Sequence, residues 1–499
     1  MSTDALTARP ASRRLPDSPG RLLGMAGVAA WRTLTSVRFA VLQIIVLAVA
    51  GLIGTMVRQV PSFALKSPAD YARAMADEHA RYDPITILGL NVGPGLVNLF
   101  DTLGFFRIFS APWFTVLMTL LVISIVVCTI DRTPRLWRGV RHVRVEQPPA
   151  FFDPRLPQRA HLPAGAVSQE ELAAVLRGRR FRLRRAGGGP AADRDAETFV
   201  MGDRNQYFKM ATLFTHLGLI LFLTGGLVTG AFGYETVLFV GEGQTAPVQP
   251  VGTPHNLLVK NHRFEAPTRP NGTFADFWTD LAVYRDGAEI ARKTIRVNDP
   301  LSAGGFVFHQ NTFGPAAALE IRDPSGELVW TGPVLLSGKL LELPQGFMTI
   351  PGSDIGLLAL LFRDESGQAV LGLQGLAQPD PSAESRTVFL TRLAVGHATD
   401  PAATAGYRIR WTGADAFTGM VVKNDPGQGL IWLAYLSLMV GLVLTFYFPR
   451  RRVWARFTDE GVDLAMAADR YVDARREFSG LLDDLAARTG HRAEVRPVP

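Results

Sequence analysis

Residues 210–233 read MATLFTHLGLILFLTGGLVTGAFG, a run free of Asp, Glu, Lys and Arg and interrupted by one ionisable side chain, His216. At a rise of about 1.5 Å per residue, such a run crosses a hydrocarbon layer about 30 Å thick. Three other runs share its character: residues 35–57, uncharged after Arg38, residues 113–130 (WFTVLMTLLVISIVVCTI) and residues 428–448. The first is too long for the apolar core of a cleaved signal and reads as a retained helix. Charged residues make up only 19% of the 499, and mean hydropathy is +0.13, because the apolar excess is gathered into these four runs while the composition between them is soluble in type. Trp113, Trp432, Tyr435, Tyr447 and Trp454 stand near run ends, where amphipathic rings favour the headgroup layer.

Orientation follows from the basic residues at the run ends. Arg32 and Arg38 precede the first span, and Arg132, Arg135, Arg138, Arg141 and Arg144 follow the second as if its helix continued with one basic face. Arg204 and Lys209 precede the third, and Arg450, Arg451, Arg452 and Arg456 follow the fourth. All share one side, which predicts a multi-pass plasma-membrane protein with both termini cytoplasmic. Residues 233–429 hold 15 Lys and Arg against 20 Asp and Glu, a net of −5; residues 58–112 hold five of each; the chain as a whole is +7, leaving +12 for the cytoplasmic parts. The basic balance therefore reports topology and contact with anionic membrane lipids, with no case for nucleic acid.

Between the spans the expected organisation is a disordered cytoplasmic tail (1–34), an outer loop (58–112), a cytoplasmic α/β insertion (131–209), an outer β-rich domain (234–427) and a cytoplasmic tail (449–499). In the insertion, Ser168-Gln169-Glu170-Glu171 is a capping box opening a helix with Leu172, Val175 and Leu176 on one face. Strand-like residues 181–185 and 198–201 flank a glycine turn at 187–189, and the element reads as small αβ, of βαβ type. The outer region alternates apolar and polar residues between Gly, Pro, Asn and Asp turns, among them Asp286-Gly287 and residues 363–368, the pattern of an antiparallel sandwich or barrel. The fold class is thus four transmembrane α-helices with a large antiparallel β-rich outer domain and a small α/β insertion.

No Ser-His-Asp signature, HExxH, Walker loop or CxxC is present, and the single Cys128, inside an apolar run, reads as a packing residue. Among the nine histidines, His79, His255, His262, His309 and His397 lie outside the membrane without ligand-pair spacing, and His142, His161 and His491 lie in cytoplasmic segments. His216 differs. It sits seven residues beyond Lys209, about 10 Å along a helix, inside an otherwise uncharged span. An intramembrane ionisable group marks a functional site or a neutral imidazole hydrogen-bonded to a neighbouring helix. A neutral imidazole in an apolar wall suits axial ligation of haem iron. Gly218, Gly225 and Gly226 leave room for a flat macrocycle or, more commonly, for a closely packed helix.

These features, taken in order, resemble the ResB family of system II cytochrome c biogenesis. The residues that carry the resemblance are Ser36-Val37-Arg38-Phe39-Ala40 and Ile53-Gly54-Thr55, then Phe106-Arg107 through Trp113-Phe114 to Val127-Cys128-Thr129, and His216-Leu217-Gly218-Leu219. They continue with Val297-Asn298-Asp299-Pro300-Leu301, Gly305-Phe306-Val307-Phe308-His309-Gln310, Asp425-Pro426-Gly427 into Trp432, and Phe446-Tyr447-Phe448-Pro449 through Arg450 to Trp454. The resemblance implies a subunit that carries haem b to the outer face and assists its covalent attachment to apocytochrome c, with His216 as an axial ligand of the iron. It also implies a ResC-like haem-handling membrane partner and a thiol-reducing protein, since no tryptophan-rich haem motif occurs here. His309 stands where the family usually has tyrosine. Rival readings are a transporter of another solute and a non-catalytic anchor or sensor with an outer ligand-binding domain.

Overall fold

The computed structural model describes residues 19–61, 64–66, 68–87, 89–186, 197–249, 256–377 and 386–493. Its helices are α1 (Pro19–Leu34), α2 (Val37–Met56), α3 (Pro68–Tyr82), α4 (Gly93–Leu103), α5 (Pro112–Arg141), α6 (Gln169–Gly178), α7 (Thr212–Phe232), α8 (Gln428–Tyr447) and α9 (Ala474–Thr489). Pro19–Leu34 is therefore helical where a structureless tail was expected; residues 1–18, like the glycine turn at 187–189 and His255, lie outside the described residues. The chain divides into two compact units, one of Met1–Gln59, Phe100–Gly230 and Gly427–Pro499, the other of Val60–Leu99 and Ala231–Pro426.

In the first unit α2, α5, α7 and α8 are long and apolar enough to cross a membrane. Only 17–22% of their most apolar stretches is buried within the chain, so most of this apolar surface needs lipid or another apolar partner. At 30 residues, α5 measures about 45 Å and outlasts the hydrocarbon layer, carrying Arg132, Arg135, Arg138 and Arg141 on its continuation. Helices α7 and α8 approach closely through small residues. A Cβ on Gly218 would lie 2.9 Å from the Leu438 backbone nitrogen, one on Gly225 3.2 Å from the Gly427 carbonyl, and one on Gly441 2.7 Å from the Thr215 nitrogen. The space left by Gly218 and Gly225 is thus filled by a helix, the commoner use of glycine in a membrane.

The rest of this unit is a five-stranded antiparallel sheet in the order Arg159–Pro163, Gly461–Ala468, Arg451–Thr458, Thr198–Arg204, Arg182–Ala186. The expected βαβ element is not formed, because the strands flanking α6 are separated by the C-terminal hairpin and by Thr198–Arg204, and every pairing is antiparallel. Nor are residues from 449 onward a free tail: they supply two strands and α9. Leu172 and Leu176 of α6 pack with Phe478, Leu481 and Leu485 of α9 over one sheet face. The Ser168 capping box forms as read. Trp454 is not at a membrane interface but 4% exposed on the other face, among Phe152, Phe199 and Met201, donating from its indole to the Arg144 carbonyl at 3.1 Å.

The arginines after α8 are similarly occupied. Arg450 forms a two-pronged ion pair with Asp203, with side-chain exposures of 2% and 1%, and also donates to the Gly139 carbonyl at the end of α5 at 3.2 Å. Arg451 pairs with Glu477, and Arg456 with Glu197.

The second unit is built on two 17-residue strands, Phe306–Arg322 and Arg408–Asn424, paired antiparallel along almost their full length. Sheet bulges after Gln310 and Ala318 divide this ribbon. One end, with Phe306, Phe308, Met420 and Val422, packs on the sheet that contains Val259, Leu281, Val283 and Ile295. The other end, with Leu319, Ile321, Ile409 and Trp411, packs on the meander from Gly338 to Ala394 through Leu357, Ala359, Leu371 and Leu373. Alternating inward residues thus serve two small cores from one ribbon. The turn at Asp286 and Gly287 has φ of 50° and 81°, the left-handed pair that a two-residue hairpin requires.

Candidate functional site

His216 lies in the second turn of α7, half-buried, with the apolar side chains of residues 213–223 around it on the helix. Its ring reaches the second span. Nδ1 is 2.8 Å from the hydroxyl oxygen of Thr129 on α5. That hydroxyl is itself 2.6 Å from the Ile125 carbonyl oxygen, one turn back on the same helix. A carbonyl can only accept, so the single hydroxyl proton points to Ile125 and the Thr129 oxygen offers a lone pair to His216. Nδ1 is then the protonated nitrogen, and Nε2 carries the lone pair available to a metal. Fixing a ligand's tautomer through the other ring nitrogen is how protein sites orient imidazole toward a metal.

The two groups lie at a similar depth. Thr129 precedes Arg132 by three residues and His216 follows Lys209 by seven, so both stand within the last turns of apolar helix before the basic residues. Among the described residues, no group of three or more His, Cys, Asp or Glu is placed to hold a metal ion.

Five of the other described histidines have hydrogen-bonding contacts of their own. His79 contacts the Asp83 carboxylate at 3.0 Å, His161 that of Asp463 at 2.9 Å, and His262 the Tyr284 hydroxyl at 3.4 Å. His397 and His491 each donate from Nδ1 to a carbonyl two residues back. His309 lies half-buried in the ribbon strand opposite Val421, and His142 follows the last turn of α5. Cys128 is half-buried with its sulfur 3.9 Å from the Thr35 carbonyl, a packing position.

Thr129 and the Arg450–Asp203 pair were not singled out as site or anchor from sequence. The matching depth of Thr129 and His216 was the available signal for the first.

A profile of the ResB-like family matches residues 37–478. The cytochrome c biogenesis protein CcsB of Synechococcus elongatus is 27% identical over 405 residues, covering 79% of this chain and 82% of its own length. CcsB of Gloeobacter violaceus is 25% identical over 461 residues, with coverage of 89% and 87%. The family match runs through all four apolar helices, His216 and the whole β-rich unit, and the chain belongs to the ResB-like family.

Proposed function

We propose that this chain is the membrane subunit of a cytochrome c synthase complex, carrying haem across the membrane and assisting its covalent attachment to apocytochrome c. The observation that carries this reading is His216, whose Nδ1 is engaged by Thr129 so that Nε2 is left as a ligand. Relatives of similar length named as cytochrome c biogenesis proteins support it. Haem b is cargo here, bound together with a ResC-like membrane partner. The β-rich unit serves the exit side, where a thiol-reducing protein keeps apocytochrome cysteines available. Deletion of the gene should abolish haem-stained c-type cytochromes while b-type haem proteins persist. Normal c-type cytochromes in the deletion strain would exclude the proposal.

The orientation is part of the same reading, with both termini and the Ser168 segment cytoplasmic and the β-rich unit outside. Its support is the charge asymmetry of +12 against −5. A reporter active only after export should stay silent when fused after Arg185 and be active when fused within residues 234–427; the opposite pattern would invert the topology.

A further inference from the structure

A cavity of about 210 Å³ opens where α7 and α8 meet their basic ends, lined by Phe208, Lys209, Thr212, Phe448, Arg470 and Tyr471 among others. Its walls are flat and aromatic: the Phe208 and Phe448 rings stack with centroids 4.8 Å apart, and Tyr471 sets its ring against Phe446 at 4.7 Å. Two cations border it. The other arginines after α8 that form ion pairs, Arg450, Arg451 and Arg456, have carboxylate partners of their own, whereas Lys209 and Arg470 have none among the described residues. The one carboxylate in the lining, Asp469, accepts the Arg450 backbone N–H at 3.2 Å, so the cations outnumber it.

The cavity lies at the start of the helix that carries the candidate ligand, with Thr212 in its lining on the first turn of α7 and Lys209 in the short 3-10 turn just before it. Thr212 and His216 are four residues apart and share a face, and Lys209 lies seven residues before His216, about 10 Å along the axis. That separation is comparable to the reach from the iron of a porphyrin to its carboxylate edge. A carboxylate held in hydrocarbon is strongly disfavoured, so a porphyrin ligated by His216 has its carboxylates stabilised only when they point out of the apolar layer. On this side they meet an aromatic slot with two unpaired cations.

We infer that Lys209 and Arg470 receive the two carboxylates of the porphyrin ligated by His216, fixing its orientation with the carboxylate edge toward the basic end of the spans. The inference rests on the haem reading of His216. An anionic lipid headgroup offers the same oxygen chemistry, and the test separates the two.

The full chain, purified with the proteins that accompany it, stripped of haem and placed in phosphatidylcholine nanodiscs, is titrated with haem and with haem dimethyl ester, which lacks free carboxylates. Wild type should bind haem about 10- to 100-fold more tightly than the ester, from two charge-assisted contacts. The Lys209→Ala/Arg470→Ala variant should bind both equally, at the affinity of the ester. Equal binding of haem and ester by wild type, with ligation through His216 intact, overturns this inference alone and needs no variant. A haem-over-ester preference that the Lys209→Ala/Arg470→Ala variant retains in phosphatidylcholine, while the variant loses only its binding of phosphatidylglycerol, assigns the slot to lipid and also overturns it. If haem binding is absent or independent of His216, the haem reading itself fails.

Discussion

Replacing Arg450 with methionine should destabilise the first unit by about 3–5 kcal/mol, because it strands the Asp203 carboxylate in an interior where its side chain is 1% exposed. The guanidinium gives Asp203 two parallel hydrogen bonds and a third to the Gly139 carbonyl, while the Arg450 N–H reaches Asp469. One residue therefore ties the strand Thr198–Arg204 and the strand Gly461–Ala468 to the ends of α5 and α8. Asp203→Leu alone should be similarly damaging, since it leaves a buried cation. The double variant, Arg450→Met with Asp203→Leu, removes both charges and should recover most of the loss, since apolar pairs of similar volume often match a buried ion pair. Thermal unfolding of the detergent-solubilised protein checks this. Single variants that melt with the wild type would show that the pair contributes nothing.

That contact was invisible in the linear chain for a physical reason. The arginines after the fourth span carry a strong local meaning, the positive flank of a membrane helix, and Trp454 beside them reads as an interfacial ring. Their folded roles depend on pairing of Arg451–Thr458 with Thr198–Arg204, strands about 250 residues apart whose short alternations do not announce a partner. The same long-range pairing turned the expected βαβ element into an antiparallel sheet. By contrast, the four spans and the hairpins of the β-rich unit rest on local signals: uncharged length, and left-handed turn residues such as Asp286-Gly287. His216 was legible because an imidazole in an uncharged helix stands out. Thr129 was not, because a threonine in an apolar helix ordinarily bonds the carbonyl one turn back, as this one does with Ile125; only the juxtaposition of α5 and α7 shows its remaining lone pair turned to His216.

The second large effect is expected at that pair. His216→Ala removes the proposed iron ligand, with no group of three or more His, Cys, Asp or Glu among the described residues placed to hold a metal instead, and leaves the Thr129 hydroxyl still bonded to Ile125, so folding should be retained. Thr129→Val keeps the ligand and loses its orienting bond. Changes to such supporting groups typically weaken metal binding by about 10- to 100-fold, and Thr129→Val should fall in that range with Thr129→Ser close to wild type. The three variants thus order ligation above orientation.

The absorption spectrum of the complex purified from cells with wild-type chain and with His216→Ala tests the central claim most directly. The account predicts a haem spectrum in the wild type that is lost or shifted in the variant, with partial return on adding imidazole and with c-type cytochrome maturation lost in parallel. An unchanged haem spectrum together with full cytochrome c maturation in His216→Ala would contradict it, and would leave the histidine as a hydrogen-bonded contact between the second and third spans.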